Sequence, residues 1–205
     1  MEKFLALKPE KQTAILNAAL ECFGRYGYAK ASVRDIAAAA HISKASVFQY
    51  FGTKKTLYLY LLRYSGQVMT DAFDRAALDA EQDLFDRIFS AAAMKVAALK
   101  QHPALTQFLV SAWNETAAEV RDDLAALFAH GDAYRSELVL RPADARKFRS
   151  PEDARAVLQI LVLMAEGAAA RCRDLDPAQI DGIMDELKTA MTVLRRNFYK
   201  EEFLQ

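Results

Sequence analysis

Along this chain of 205 residues, apolar positions recur at three- and four-residue spacing, which places them on one side of an α-helix. Seven glycines and five prolines are too few for a turn-rich β fold, and the prolines fall where helices would begin or end. The first predicted helix runs from about Pro9 to Arg25, with Ile15, Ala18, Ala19, Cys22 and Phe23 forming its stripe. Pro9 suits the opening turn, and Gly24 and Gly27 suit an end that turns sharply. Thr53 is placed to cap a long helix from Lys54 to about Ala80, with Leu57, Leu61, Tyr64, Val68 and Phe73 inward. Another helix fits Glu81 to Gln101, with Leu84, Phe85, Ile88, Phe89 and Ala92 inward, until His102-Pro103 breaks it. The short segment PALTQFLVSAW follows, then a helix to about Leu140, and the polar run from Arg141-Pro142 to Arg149 reads as the longest loop.

The last two helices have marked beginnings. Ser150 offers an N-cap with Pro151 at the first helical position and Asp153 three residues on, and Asp176-Pro177 repeats the device. The first of this pair, about Pro151 to Arg173, is apolar on more than one face; the second, to about Tyr199, carries Ile180, Ile183, Met184, Leu187, Met191, Leu194 and Phe198 at helical spacing. Two such neighbours make a four-helix interface with a second copy, for which Val157, Leu158, Leu161, Ala165, Ile183, Leu187, Met191 and Leu194 are the candidates. Completion of a monomeric core is the other reading.

Between the first helix and the long one lies SVRDIAAAAHISKASVFQYFGTKK, Ser32 to Lys55, which reads as two short helices, a tight turn and the start of a third. Ser32 followed by Asp35 resembles a capping box, so a hydroxyl and free N–H groups stand at a helix N-terminus, an arrangement that suits phosphate. Ile36, Ala37 and Ala40 face inward, Ile42 is buried beyond the turn, and Ser43 caps the next helix. That helix turns Val47 and Phe51 inward and leaves Lys44, Ala45, Ser46, Phe48 and Gln49 for an outward surface, with Phe48 equally able to pack within the head. Serine, lysine, glutamine and tyrosine at the tip of a short helix suit the phosphates and base edges of a major groove.

Charge sharpens that reading. The chain has 27 basic and 27 acidic residues, but residues 1–66 hold ten Lys and Arg against four Asp and Glu, and the remainder 17 against 23. A basic head on an acidic body lets only the head touch a polyanion.

The run S-V-R-D-I-A, then I-S-K-A-S-V-F-Q-Y-F, then Lys54 and Leu57, resembles the DNA-binding head of the tetracycline-repressor (TetR) family of bacterial regulators over about residues 10 to 57. The resemblance implies an all-α fold of about nine helices, with a three-helix helix-turn-helix head over residues 1–53 and a helical ligand-binding and dimerisation body over 54–205. It also implies a ligand-responsive regulator, a repressor that binds a palindromic operator as a homodimer and is released by a small molecule. By its pattern, Ser32 and Lys54 hold phosphates, Gln49 and Tyr50 add phosphate contacts, and Arg34, Lys44, Ala45, Ser46 and Phe48 lie where relatives meet base edges. The family usually has glycine at the turn, where this chain has His41, and often glycine where it has Ala45. Histidine tolerates unusual turn dihedrals better than a β-branched residue. Ala45 offers a methyl to thymine in place of a close backbone approach.

For an effector, Phe89, Phe108, Trp113, Phe128, Met164 and Arg171 are candidate lining of a largely apolar pocket, with Glu115 a possible acid for Arg171. No catalytic motif appears: no glutamate has a histidine three residues later, there is neither a phosphate-binding loop nor a dinucleotide fingerprint, and His41, His102 and His130 are scattered. Cys22 and Cys172 lack metal or disulfide spacing and read as buried small side chains. The expectation is therefore no cofactor and no metal. MEKFLALKPE lacks a signal-peptide core and no window approaches the ~18 apolar residues of a spanning helix, so a cytoplasmic protein without a membrane is expected. The contrasting reading is a helical small-molecule-binding or interaction protein that does not contact DNA.

Overall fold

A computed structural model describes residues 1–171 and 177–204, without the side chains of residues 166, 168–171 and 177–179. The described chain is helical throughout: α1 (Glu2–Leu5), α2 (Pro9–Lys30), α3 (Val33–Ala39), α4 (Lys44–Phe51), α5 (Lys54–Asp71), α6 (Arg75–Ala80), α7 (Leu84–Gln101), α8 (Pro103–Trp113), α9 (Ala118–Val139), α10 (Asp153–Arg171) and α11 (Pro177–Phe198). Nine of these have seven residues or more, in agreement with the expected all-α plan.

Packing groups Met1–Thr70 with Leu99–His130, and Asp71–Ala98 with Gly131–Gln205, as two compact units. The head shares its core with α8 and the first part of α9: Phe23, Ile36, Val47, Leu57, Tyr58 and Leu61 are buried together with Leu105, Phe108, Ala112, Val120 and Leu124. α8 runs closely along α2. A Cβ on Gly24 would come within 3.0 Å of the Phe108 backbone nitrogen, so this glycine marks a helix crossing and not the helix end expected of it. The stripe Ile15, Ala18, Ala19, Cys22 and Phe23 is buried as the periodicity requires. The turn comes instead at Gly27, whose φ of 70° interrupts α2 before Lys30.

The long helix predicted from Lys54 ends at Asp71, because Asp74 accepts a hydrogen bond from the Ala77 N–H at 3.0 Å and starts a new helix. On α5 the inward stripe is Leu57, Tyr58, Leu61, Leu62 and Ser65, while Tyr64 points outward. α7 starts later than predicted, at Leu84, because Asp83 caps it through the Phe85 N–H at 2.9 Å.

In the second unit Leu78, Phe85, Leu138, Phe148, Val157, Leu161, Leu187, Met191 and Tyr199 form the core. Arg87 lies in it, 2% exposed on its side chain, with Nη2 reaching both oxygens of Asp144 at 2.7 and 2.5 Å and Nε and Nη1 donating to the carbonyls of Val139 and Glu81. The Arg141 N–H completes the Asp144 carboxylate, so this buried pair keeps no missing donor or acceptor that would make it costly. The segment read as a loop is mostly a 3-10 turn, Pro142–Lys147. α10 begins at Asp153, two residues after the predicted Pro151, since the Ser150 hydroxyl bonds the Glu152 carboxylate instead of capping the helix. Cys172 and the Asp176 cap lie outside the described residues.

Candidate nucleic-acid interface

Ser32 sits in extended backbone and its Oγ accepts the Arg34 N–H at 3.2 Å, which starts α3. Ile36, Ala37 and Ala40 are buried beneath it. The chain then reverses at His41, a non-glycine residue with positive φ (52°), and the Ile42 N–H closes the turn on the Ala37 carbonyl at 2.9 Å. Histidine in the left-handed region answers the absence of the family's glycine. Ser43 accepts the Ser46 N–H at 3.0 Å, and the two hydroxyls pair at 2.8 Å, so the Ser46 side chain is held at the tip of α4. Gly52, with φ 76°, ends α4, and Thr53 accepts the Thr56 N–H at 3.0 Å to start α5 as expected.

Two faces of α4 follow from this frame. Val47 and Phe51 are buried, while Lys44, Ala45, Phe48 and Gln49 are exposed and Ser46 and Tyr50 are half-buried. Phe48 is 41% exposed with the Lys44 ammonium 5.8 Å from its ring centroid, which favours the outward alternative over packing within the head. Arg34 is exposed on α3, and Ser32 is half-buried at its start. Lys54 is half-buried, its Nζ 3.2 Å from the Ala29 carbonyl oxygen and 4.7 Å from the centroid of the Tyr28 ring. Burial, with the carboxylates of Glu119 and Glu115 nearby, pushes the Tyr28 phenol up to about 12, so the ring under Lys54 stays neutral.

Residues 15–61 match the sequence pattern of the bacterial regulatory proteins of the tetR family. A helix-turn-helix transcriptional repressor of Mycobacterium tuberculosis, Rv1474c, is 25% identical over 190 residues, which cover 88% of this chain and 92% of its own.

Residues 15–61 form a DNA-binding head of the TetR family.

With this TetR-type head the chain is a DNA-binding transcriptional regulator of the helix-turn-helix type. The regulator RutR of Escherichia coli is 40% identical over 53 residues, 26% of this chain and 25% of its own length. Among solved structures, a TetR-family transcriptional regulator of Chloroflexus aurantiacus aligns with a TM-score of 0.71 at 19% identity, over 98% of this chain and 99% of that one. The fatty acid degradation regulator FadR of Bacillus halodurans aligns at 0.68 with 15% identity, over 89% and 97%. These likenesses bear on the fold.

Of the effector candidates, Phe108, Trp113 and Phe128 belong to the first unit and Phe89 and Met164 to the second. Phe108 is fully buried among Phe23 and Tyr58, at 6.4 and 5.3 Å, as part of the close-packed core. Trp113 and Phe128 meet at 4.8 Å between ring centroids, and Trp113 is 46% exposed. Phe89 is half-buried with the Lys188 ammonium 5.9 Å from its ring, Met164 packs half-buried on the second core, and the side chain of Arg171 lies outside the described residues. Glu115 is engaged by three main-chain N–H groups, those of Tyr28, Thr116 and Ala117. An open depression of about 410 Å³ lined by Leu140, Arg141, Pro142 and Arg155, and one of about 250 Å³ lined by Leu59, Arg63, Asp123 and Leu127, include none of the described candidates.

On the last two helices, Val157, Leu158, Leu161, Leu187 and Met191 are buried in the chain's own core, and Ala165, Ile183 and Leu194 are half-buried. The exposed apolar positions are Ile160 at 46%, Leu163 at 67% and Val193 at 45%. The sequence showed that the first of these helices is apolar on more than one face, but periodicity alone could not say which face the monomer takes.

Among the described residues no cluster of His, Cys, Asp and Glu is arranged to hold a metal, and no helix is long and apolar enough to cross a membrane. Cys22 is buried and burial raises its thiol pKa. Phe4 and Tyr28 are participants that sequence reasoning missed, and Glu115, read there as an acid for Arg171, instead accepts the Tyr28 N–H. Gly27 announced the turn before Tyr28, whereas nothing local tied Glu115 to it.

Proposed function

We propose that the protein binds a palindromic operator as a homodimer, represses transcription from it in the cytoplasm, and is released by a largely apolar small molecule. The observation that carries this reading is the outward row Lys44, Ala45, Phe48 and Gln49 on a short helix whose opposite side, Val47 and Phe51, is locked in the core. A helix presented in that way suits a major groove. Arg34, Lys44, Ala45, Ser46 and Phe48 meet base edges in this reading, and Ser32, Gln49, Tyr50 and Lys54 contact phosphates. Residues 1–53 carry the grip on DNA, and residues 54–205 hold the effector and the second subunit.

Two recognition helices enter successive major grooves when they stand about 34 to 36 Å apart. An effector that binds better to another spacing weakens the operator complex, with a coupling of about 1 to 3 kcal/mol. Trp113 and Phe128, in contact and partly exposed, support an apolar ligand on the 54–205 part. Selection from random duplexes with the purified protein at low salt tests the reading. Enrichment of one inverted repeat, bound more weakly as salt rises, supports it; an unenriched pool sinks it.

A further inference from the structure

We infer that Glu115, on the turn between α8 and α9, is a positioning residue for DNA binding: through the main chain at Tyr28 it sets where the Lys54 ammonium stands. This inference rests on the reading of Lys54 as a phosphate contact. Glu115 Oε2 accepts the Tyr28 N–H at 2.5 Å, and Oε1 accepts the N–H groups of Thr116 and Ala117, each at 2.9 Å. One carboxylate thus starts α9 and holds the last turn of α2. The match is tight on both sides, since Gly27 has φ 70° and a Cβ there would lie 3.1 Å from Glu115 Oε2. A second tie from α8, the Ser111 hydroxyl donating to the Phe23 carbonyl at 3.1 Å, holds the same part of α2.

The held segment ends in the two groups that locate Lys54, the Tyr28 ring at 4.7 Å and the Ala29 carbonyl at 3.2 Å. The ring itself is wedged against Tyr58, 5.1 Å between centroids, so it follows its own backbone and cannot swing freely. A lysine side chain loses rotamer freedom when fixed in a complex. Holding Nζ beforehand reduces that cost when a phosphate arrives. The Ala29 carbonyl uses one of the three ammonium donors, leaving others for the phosphate.

Duplex binding of the full chain over a range of salt concentrations tests this with Glu115→Gln, Lys54→Ala and both together. The glutamine amide sets a donor against main-chain donors and loosens the turn. Glu115→Gln is expected to weaken binding about tenfold and to lower the salt slope by roughly one. On the Lys54→Ala background the same change should cost less than about twofold. Equal factors on both backgrounds, or an unchanged slope, overturn the role of Glu115 while leaving Lys54 as a contact. Unchanged binding by Lys54→Ala alone removes Lys54 as a phosphate contact, and the role of Glu115 falls with it. Should Glu115→Gln fail to fold, Tyr28→Leu reads the same link, because it keeps the main-chain bond and deletes the ring. It is expected to weaken binding about three- to fivefold in the wild type and less than about twofold with Lys54→Ala, and equal factors overturn the proposal.

Discussion

The ring of Phe4 stands 4.8 Å from the ring of Phe51, so the first helix of the chain is packed on the recognition helix. Phe4 is fully buried, with Tyr50 and Tyr60 as its other aromatic neighbours at 6.3 and 5.7 Å. Gln12 holds the end of this short helix by donating to the carbonyls of Leu5 and Leu7 at 3.1 and 2.9 Å. Phe4→Ala should therefore cost about 3 kcal/mol of stability by urea denaturation. A loss below about 1 kcal/mol would show that α1 is not a working part of the core.

His41 carries the left-handed turn of the helix-turn-helix. His41→Gly relieves the φ penalty and frees the unfolded chain, two effects of about 1 kcal/mol that oppose each other. Its thermal midpoint is expected to stay near that of the wild type. His41→Val should lose about 1 to 2 kcal/mol, since a β-branched residue resists positive φ. A valine variant as stable as wild type would mean that the turn readily relaxes to another geometry.

Lys44 and Lys54 differ in what holds them: Lys44 is exposed beside Phe48, whereas Lys54 is fixed by Tyr28 and Ala29. Lys44→Ala is expected to relax preference at particular bases, by about 1 to 3 kcal/mol at each. Lys54→Ala should weaken all sequences alike and lower the salt slope by about one. Binding across a panel of single-base operator variants separates them, and sequence-blind losses from both remove Lys44 as a reader.

Leu163 is 67% exposed on α10 and Ile160, one turn earlier, is 46% exposed. If the homodimer forms over this face, Leu163→Glu buries a charge between subunits and should convert the dimer to monomer in sedimentation at micromolar concentration. Helical content should be unchanged, as the side chain is outside the monomer core. A Leu163→Glu dimer would exclude this face.

Asp83 in the second unit is held by two cations, Lys147 at 3.2 Å and Arg195 at 3.6 Å. Burial by itself would raise its pKa, but Arg195 and Lys147, aided by the Phe85 N–H, outweigh burial and hold the carboxylate below its ordinary value of 3.8. In the window between the lowered folded value and 3.8 the unfolded chain binds more protons, so stability rises with pH there. The contribution is fully present above the unfolded value and is lost as pH falls through the folded one. Asp83→Asn should flatten the acid limb of a stability profile recorded below about pH 4. An unchanged limb would assign it to other carboxylates.

Much of the DNA-binding head was legible because its determinants are local. Caps at Ser32, Ser43 and Thr53 and the helical spacing of Ile36, Val47 and Phe51 operate within a few residues, and all hold in the structure. Where helices end against distant partners, local pattern misled. Gly24 looked like a terminus but lies where α8 crosses α2, and Asp74 divides what periodicity read as one long helix. Arg87 gave no local sign that Asp144, 57 positions away, would meet it in a core.

From sequence alone follow the all-helical class, the helix-turn-helix and the outward place of Lys44, Ala45 and Gln49, because capping and amphipathic spacing depend on near neighbours. Tertiary structure alone decided which face of α10 the monomer buries, why Phe108 is core, and how Glu115 reaches Tyr28 across 87 positions. Those outcomes depend on which surfaces meet, and a helix with two apolar faces or a carboxylate on a turn is compatible with several partners until the chain packs.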